Sequence, residues 1–532
     1  MKNKITYLTL IAILGLLNFS CKKYLDATPN DVVVPNKYYS TQSEINAALA
    51  GVYSSLAQDG TYGRNIPLEL EMGNDEGQYN NRNNNINNPS LYDCQASTAI
   101  YSDCWSALYK GINAANYLIS NIKTSRVEDT IKNKALGEAT FLRAFNYFQL
   151  VTRYGAVPLI LKPTTSVGNV NYSKTPMMEI YDQILSDMKS AEGLVYSYNV
   201  NGSPGRVSKT AIQGIIARVY MKMAGKPMSL GAPMYDSARV WAMKVVNSGV
   251  HTLNPKYSEI FSLQSRDAYD NLYKESMWEI EFYGNNTPTG TMPPGSKFAS
   301  FLAMRYTGAD PNPLVVYGYG SYIPTGNLFD LYQKVSIADS VDERRNWNVP
   351  NYTYSLNLVP RTASPAAVST WDRDCGKWKR DDEVVIPKNR DWGPTNFPVI
   401  RYADVLLMVA EAQMELGNIA DAIDKLNQVR RRAKTSEIPL STNQLALRNI
   451  IRDERARELC FEATRKFDLV RWGIFFETMQ ACKNLINNST SSSTLKNRYL
   501  TAYNNVKQRD TLLPIPSSEL SVNGLMTQNA GW

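Results

Sequence analysis

Residues 397–433 carry two consecutive amphipathic patterns separated by a helix stop. In the first pattern, side chains at three- and four-residue spacing fall on one helical face: Tyr402, Leu406, Val409, Gln413 and Leu416. Gly417-Asn418 is a helix stop, and a second apolar set then follows: Ile423, Leu426, Val429 and Ala433. The segment therefore predicts a helical hairpin, and the rest of the chain must accommodate it.

Small residues occupy the positions where the two helices of this hairpin would touch. They are Ala403, Ala410, Ala412, Ala420 and Ala422. This pattern is typical of tetratricopeptide-like repeats, which stack helix pairs because one pair alone cannot bury its apolar face. The expected fold class is mainly α, with tetratricopeptide-like helix pairs forming a single body.

The same helical rhythm runs through residues 41–250. Thr41 and Glu44 form a capping-box pattern ahead of an apolar set at Ile45, Leu49, Val52 and Leu56. Apolar spacing of three or four predicts further helices at 105–122, 131–153, 176–190, 208–224 and 235–247. Both ends of the chain are therefore expected to contribute helix pairs to the body.

A further helix is expected at 449–467, where charged residues are dense. Asp453/Arg457 and Glu462/Lys466 are spaced for ion pairs at i,i+4. One interpretation is a solvated face stabilised by a few tenths of a kcal/mol per pair, roughly. The other is that Arg455 and Arg471 anchor neighbouring carbonyl groups or acids.

Residues 284–398 differ in composition from the helical segments. They hold twelve of the 26 prolines and four of the nine tryptophans. Proline removes a backbone donor and fixes φ, so this insertion is expected to form loops and short strands. Binding residues concentrate on loops that a rigid scaffold supports, which makes the insertion the expected specificity region.

Four stretches resemble one protein family. They are EATFLRAFNYFQLVTRYGAVPL at 138–159, RYADVLLMVAEA at 401–412, RDERARELCFEATRKFDLVRWG at 452–473, and LLPIPSSELSVNGLMTQNAGW at 512–532. Their order is similar to that of the SusD/RagB family of outer-membrane nutrient-binding lipoproteins. The resemblance implies a single α-rich body, a SusC-like TonB-dependent transporter as partner, a position on the outside of the outer membrane, and no catalysis or cofactor.

The first residues read as an export signal. A basic start, an apolar run from Leu8 to Leu17 and Ser20 before Cys21 predict a lipoprotein signal, with Cys21 acylated. Ordinary secretion with an incidental cysteine is the alternative. The expected organisation is a signal peptide at 1–20, a lipidated tether at 21–40, an N-terminal helical half at 41–265 and a C-terminal half at 266–532 that contains the insertion.

The sequence lacks the residue patterns that histidine-based catalysis, nucleic-acid binding, zinc binding and a disulfide scaffold require. The single histidine, His251, lies in a Gly-flanked turn and is interpreted as a surface or turn residue. The net charge of +8 is mild for 532 residues and forms no basic cluster for nucleic acid. After Cys21, five cysteines without C-x-x-C spacing indicate neither a zinc site nor a disulfide scaffold, although Cys94 and Cys104 could pair or stay free.

The Asn-rich segment 69–88 is expected to be a polar surface loop. It contains four acids, Glu69, Glu71, Asp75 and Glu76, and two carboxylates about 5–9 Å apart are what a glycosidase needs. A glycoside hydrolase using these acids is therefore one alternative function. Solvated loop acids are the simpler interpretation.

Aromatic residues make up 11% of the chain, including 33 Tyr. Aromatic rings bind sugars by stacking on C–H faces while neighbouring polar groups bind the hydroxyls, so a glycan site needs exposed rings beside short polar side chains. The predicted ligand-binding residues are Asn74, Asp75, Tyr79 and Arg82 in the early loop, and Tyr322, Trp347, Trp371 and Trp378 in the insertion. The predicted function is capture of oligosaccharides for a transporter. A helical-repeat scaffold or capture of peptides is the alternative.

Overall fold

The computed structural model describes residues 39–81, 87–165, 168, 171–284, 295–306, 317–333, 342–354, 360–362, 369–386 and 388–532. The first part of the chain contains helices α1 (Gln42–Ser54), α2 (Ala99–Asn121), α3 (Asp129–Tyr154), α4 (Met177–Glu192), α5 (Tyr198–Asn201), α6 (Lys209–Ala224), α7 (Ala232–Asn247) and α8 (Tyr257–Ser265). The middle contains the short helices α9 (Phe298–Leu302), α10 (Gly326–Gln333) and α11 (Glu343–Asn348). The last part contains α12 (Tyr402–Glu415), α13 (Ile419–Arg432), α14 (Gln444–Leu459), α15 (Arg465–Arg471), α16 (Phe475–Asn488), α17 (Ser493–Asn505) and α18 (Ser517–Val522).

Within the described residues, six short strands form three antiparallel pairs. The strands are β1 (Gly77–Tyr79), β2 (Ser276–Ile280), β3 (Tyr322–Pro324), β4 (Tyr352–Tyr354), β5 (Pro360–Thr362) and β6 (Phe397–Arg401). β1 pairs with β3, β2 with β6, and β4 with β5. In the first pair, Gly77 lies opposite Pro324 and Tyr79 opposite Tyr322, so the early loop and the insertion meet across one ladder.

Helix pairs build the body, and the mainly α fold class is confirmed. α2 packs on α3, α3 on α4, and α6 on α7. The predicted hairpin is present as α12 and α13, which pack on each other, and α12 also packs on α7 and α14. Gly417, at φ +85°, adopts the left-handed conformation that favours glycine and ends α12 as expected.

The first helix begins at the predicted cap. The Thr41 hydroxyl accepts a hydrogen bond from the Glu44 amide at 3.2 Å, and the Glu44 carboxylate accepts one from the Thr41 amide at 2.9 Å. These reciprocal bonds satisfy two amides that the helix itself leaves unpaired. The apolar residues named for this helix are buried, and most of the large core gathers on α1 to α8 and α12 to α14.

The charged helix expected at 449–467 is broken in the structure. α14 ends at Leu459 and α15 begins at Arg465, because Phe461 and Ala463 have φ angles of +67° and +55°, which an α-helix does not allow. The break changes the expected ion pairs. Arg457 pairs with Glu454, and Glu462 pairs with Arg401 and Lys377.

The anchoring interpretation of Arg455 and Arg471 is confirmed. Arg455 bridges Asp404 at 2.8 Å and Asp468 at 2.7 Å, and both of these acids are buried. Arg471 binds Glu411 with a nitrogen-to-oxygen distance of 2.7 Å and also reaches Asp468. These residues therefore tie α12, α14 and α15 together inside the protein.

The expectation of a polar surface loop is wrong for residues 69–81. A π-helical turn at Asn65–Leu70 leads into buried chain, and β1 then pairs with β3. The segment is buried because its acids meet arginines from elsewhere in the fold. Residues 82–86 of the same segment lie outside the described residues.

Among the described residues, no helix is long and apolar enough to cross a membrane. The five described cysteines are buried free thiols, so Cys94 and Cys104 are not bonded to each other. The predicted signal peptide and nearly all of the tether, including Cys21, lie outside the described residues. The boundary between residues 265 and 266 stays a prediction.

Candidate functional site

Asn74 and Asp75, two of the predicted polar residues of the early loop (residues 69–88), bind groups of the protein and stabilise the loop. The Asn74 side-chain oxygen accepts hydrogen bonds from the Glu76 amide at 2.7 Å and the Gly77 amide at 3.2 Å, which closes a tight turn before β1. The Asp75 carboxylate binds the Arg465 guanidinium through two bonds of 2.8 and 2.7 Å. Asn74 and Asp75 are both buried and hold these bonds, and their ligand-binding role stays a prediction.

Three of the predicted aromatic residues belong to the core. Trp378 is 2% exposed, packs edge-on against Phe298 at 5.3 Å between ring centroids, and donates its indole N–H to Gln264. Trp371 packs on Tyr499, and Tyr322 is fully buried on β3. The expectation that these rings are exposed for stacking is therefore wrong, because apolar packing covers their faces.

Tyr79 and Trp347 are only partly buried, and their ligand-binding role stays a prediction. Tyr79 lies beside Tyr322, with 5.4 Å between ring centroids. Trp347 donates its indole N–H to the Lys377 carbonyl at 2.9 Å and carries the Lys379 ammonium 3.8 Å from its ring centroid. Arg82 lies outside the described residues.

The four clustered acids are buried in ion pairs. Glu69 pairs with Arg64 at 2.7 Å, Glu71 with Arg153 at 2.8 Å, and Asp75 with Arg465 at 2.7 Å. Glu76 lies 3.7 Å from Arg465, and burial raises the pKa of Glu76 to about 8 despite the nearby guanidinium. The interpretation of these residues as solvated loop acids is wrong.

His251 is also buried, so its interpretation as a surface residue is wrong. One ring nitrogen lies 2.8 Å from the Thr210 hydroxyl, and the other lies 2.7 Å from the Lys274 carbonyl oxygen. Burial lowers the pKa of His251 to about 4, which favours the neutral ring. With both nitrogens in hydrogen bonds, His251 is a structural residue of the core.

No group of three or more His, Cys, Asp or Glu side chains suited to a metal occurs in the described ranges.

The structure brings other aromatic side chains of the insertion to the surface. Tyr317 and Tyr319 lie edge to face with 4.7 Å between centroids, and Tyr319 stacks on Phe301 at 4.8 Å with an interplanar angle of 24°. Neither tyrosine packs against the hydrophobic clusters of the core. We call this surface, with its polar neighbours Arg390 and Asp391, the aromatic ledge.

Polar groups surround the rings of the aromatic ledge. The exposed Arg390 guanidinium lies 4.4 Å from the Tyr317 centroid, and its Nε donates to the Tyr319 hydroxyl at 3.0 Å. The Tyr319 hydroxyl in turn donates to the Asp391 carboxylate. Burial and the bond to Asp391 raise the pKa of Tyr319 above its usual value. The ledge thus combines aromatic faces, a cation and a carboxylate at one surface.

The early loop reaches the edge of this surface. Asn80 donates its side-chain N–H to the Gly320 carbonyl at 3.2 Å, and its amide donates to the Ser321 carbonyl at 2.7 Å. The side-chain oxygens of Asn80 and Asn81 have no hydrogen-bond partner within the described part of the chain. Both oxygens are enclosed by the protein, so they are not offered to a ligand at the surface.

Sequence reasoning missed the residues of the aromatic ledge, although one signal for them was present. Tyr317-Gly318-Tyr319-Gly320 places its two tyrosines at a spacing of two, which puts them on the same face of extended chain. Phe301 and Arg390 come from distant segments, and no local pattern joins them to the tyrosines.

A larger groove lies elsewhere, between α2 and the chain that follows α3. Its volume is about 600 Å³. Some of its polar atoms bind one another: Tyr109 donates to the Pro158 carbonyl, and Asn116 donates to the Ile160 carbonyl. We take the aromatic ledge as the candidate site because two partly exposed tyrosines lie there beside an exposed arginine and a carboxylate.

Comparison with known proteins identifies the family. The model of the SusD family matches residues 274–532, and a second model, described as starch-binding and associating with the outer membrane, matches residues 23–221. SusD-like protein P25 of Formosa agariphila is 25% identical over 557 residues, covering 96% of this chain and 95% of that protein.

Two further comparisons cover most of both chains. The starch-binding protein SusD of Bacteroides thetaiotaomicron is 25% identical over 456 residues, covering 79% of this chain and 76% of that protein. The crystal structure of a SusD homologue from Bacteroides thetaiotaomicron superposes with a TM-score of 0.83 at 25% identity, covering 94% of this chain and 98% of that one. With family models matching both parts of the chain and a shared fold along nearly its whole length, the protein belongs to the SusD/RagB family.

Proposed function

We propose that the protein is a non-catalytic outer-membrane lipoprotein that binds oligosaccharides at the aromatic ledge and delivers them to a SusC-like TonB-dependent transporter. The observation that carries this proposal is the surface position of Tyr317 and Tyr319 beside Arg390 and Asp391 in a member of this family. A relative named as starch-binding supports carbohydrate as the ligand class.

The chemistry of the aromatic ledge suits a sugar. A pyranose presents an apolar C–H face and a rim of hydroxyls, so it needs a ring to stack on and both donors and acceptors around that ring. Tyr317 supplies a ring, Arg390 supplies donors, and Asp391 supplies acceptors. Each stacking contact is expected to stabilise a complex by ~0.5–1.5 kcal/mol.

The glycoside hydrolase alternative loses its main support. Burial raises the pKa of Glu76 to about 8, as a general acid requires, but Glu76 is 3% exposed. Asp75, its neighbour, is held by Arg465 in a two-bond fork and is equally buried. A polysaccharide cannot reach two carboxylates that the protein itself encloses.

Calorimetric titration of the detergent-solubilised protein, preceded by a glycan array, tests this proposal. The Tyr317→Ala/Tyr319→Ala double variant is expected to weaken binding of the best glycan by about tenfold or more, because two aromatic contacts are lost. Tyr196→Ala is the matched control, since Tyr196 is also partly exposed and carries the Lys134 ammonium 4.5 Å from its ring. Unchanged affinity in the double variant would move the site elsewhere. Binding of peptides but no glycans would favour the peptide alternative, and hydrolysis of the glycan would contradict a non-catalytic role.

Membrane anchoring and the transporter partner rest on separate observations. The signal-like start predicts acylation at Cys21, and the family model that matches residues 23–221 describes association with the outer membrane. Cys21→Ala should release the protein into the soluble fraction, and retention in the membrane would contradict acylation. Purification from detergent-solubilised membranes should bring a large barrel protein with it, whereas a stand-alone scaffold would bring none.

A further inference from the structure

A second pocket lies among α10, α14, α15 and α16. Its volume is about 250 Å³, and Leu485, which is 44% exposed, stands in its wall at the surface. The polar side chains that line it include Arg452, Asn327, Asn449 and Thr478. A cavity of this size admits a ligand about as large as one sugar ring, and it is smaller than the pockets that hold drug-sized molecules.

Arg452 differs from the neighbouring arginines of α14. Arg448 pairs with Glu415, Arg455 with Asp404 and Asp468, and Arg457 with Glu454. No carboxylate of the described residues pairs with Arg452, and its Nε is buried without a hydrogen-bond partner. Because a buried N–H donor normally has an acceptor, the Nε–H of the partly buried Arg452 is a donor available in the pocket.

Trp472 fixes the position of this guanidinium group. The Arg452 guanidinium carbon lies 5.1 Å from the Trp472 ring centroid, within cation–π distance. Trp472 is itself held, since its indole N–H donates to Glu411 at 2.7 Å. The contact therefore keeps the guanidinium group, with its unpartnered Nε–H, in a defined place, and the fork of a guanidinium suits the two oxygens of a carboxylate.

The other charged side chains that line the pocket already have partners within the protein. Arg465 is closed in its two-bond fork with Asp75. Asp453 also lines the wall, and its side chain is not free. Asn449 is exposed, and Thr478 also lines the wall, so among the described residues of the wall neutral hydrogen-bonding groups lie beside the Arg452 cation.

We propose that this pocket binds the carboxylate of a small acidic ligand, with Arg452 as the anchor and the neutral polar groups binding the rest of the molecule. An acidic sugar and a small dicarboxylic acid share this chemistry. The site is separate from the aromatic ledge, so it stands or falls independently of the proposed glycan capture.

Titration of the purified protein with glucuronate, succinate and glucose at one fixed low ionic strength tests the proposal. Glucuronate or succinate is expected to bind, and Arg452→Gln is expected to weaken that binding by about tenfold or more, as the loss of a charge-assisted hydrogen bond implies. Binding of glucuronate alone assigns an acidic sugar, and binding of both assigns the carboxylate as the shared feature. Glucose binding as tightly as glucuronate, or no binding of either acid, would overturn the proposal.

Two controls separate this site from other effects. Arg431→Gln removes an arginine from an exposed pair with Glu437 and should leave the affinity unchanged, as should the Tyr317→Ala/Tyr319→Ala variant at the aromatic ledge. If Arg452→Gln does not fold, phenylglyoxal labelling of the wild-type protein gives a second measurement. Glucuronate or succinate should protect Arg452 from modification, and labelling at this residue that neither acid reduces would contradict the assignment.

Discussion

Glu458 is the acid on which several buried cations converge. Arg344, Arg401 and Arg432 all lie within ion-pair distance of its carboxylate. Burial alone would raise the pKa of Glu458, but these three guanidinium groups lower it to about 2. Because each side chain comes from a different part of the chain, the cluster fixes how those parts meet, and removing one partner would leave a buried charge uncompensated.

Lys222 is a buried cation that pairs with no carboxylate of the described residues. Its ammonium lies 5.4 Å from the Phe467 ring centroid, and burial, together with the positive charge of Arg471, lowers its pKa from 10.5 to about 7. The unfolded chain binds this proton up to about pH 10.4, whereas the folded protein releases it near pH 7. The unfolded state therefore binds more protons in this window, so the Lys222 contribution to stability rises between about pH 7 and 10.4.

The lowered pKa of Lys222 predicts how replacing this lysine changes the stability of the protein. Lys222→Met should increase the free energy of unfolding at pH 7 by ~1–3 kcal/mol, because methionine removes the cost of burying the ammonium. The gap between variant and wild type should shrink as the pH approaches 10. Urea denaturation at several pH values measures it, and a gap that stays constant or widens would contradict the lowered pKa.

At the scale of single residues, sequence indicated charges but not their partners. The roles of Arg455 and Arg471 as anchors could be predicted because acids lie on the same and neighbouring helices. Arg465 and Asp75 could not be paired in advance, since 390 residues separate them. For the same reason, Trp371 and Trp378 could not be distinguished from exposed rings, because the segments that cover them are remote in the chain.

At the scale of elements, two glycines offer a matched comparison. Gly51 lies on the exposed side of α1, and a Cβ atom added there would meet nothing within 4 Å. Gly225 follows α6, and a Cβ atom there would lie 2.2 Å from the Arg471 carbonyl oxygen. That carbonyl already accepts a hydrogen bond from the Lys226 amide at 2.7 Å, which joins the end of α6 to the end of α15.

The same substitution is therefore expected to have opposite effects at the two positions. Gly51→Ala should stabilise the protein by ~0.5–1 kcal/mol, because alanine favours a helix interior over glycine. Gly225→Ala should destabilise it by about 1–3 kcal/mol, because backbone atoms must move apart. Chemical denaturation of both variants at one pH measures the two shifts. Similar changes in the free energy of unfolding of both variants would show that the backbone at the α6–α15 contact moves apart at little cost.

Helix boundaries that depend on neighbouring residues could be predicted from the sequence. Features that depend on contacts between distant segments could not. The cap at Thr41 and the stop at Gly417 lie within one turn of the elements they bound, so they could be identified from sequence. The break after Leu459 could not, because it brings Glu462 to Arg401 and Arg465 to Asp75. The aromatic ledge belongs with these exceptions, since it joins three separate segments of the insertion.

At the scale of the whole molecule, contacts join residues 41–265 to residues 266–532 at many places. Arg218 of α6 binds Asp404 of α12 at 2.6 Å, and Asp75 binds Arg465. The last residues of the chain return to the first half, where Asn529 donates to the Tyr154 carbonyl and the Leu513 amide donates to the Arg153 carbonyl. The two halves proposed from the sequence therefore pack against each other extensively in the structure.

The last prediction is that the described body unfolds in a single cooperative transition. Separate domains would unfold separately if the interface between them were small, but here it includes buried ion pairs and a shared hydrophobic core. Asp75→Asn removes the two-bond ion pair with Arg465 and should move the whole transition to lower temperature, because the loss weakens contacts on both sides. Differential scanning calorimetry, with tryptophan fluorescence and far-ultraviolet circular dichroism as independent probes, should give coincident transitions. Two resolved transitions, of which Asp75→Asn shifts only one, would show that the halves are energetically independent.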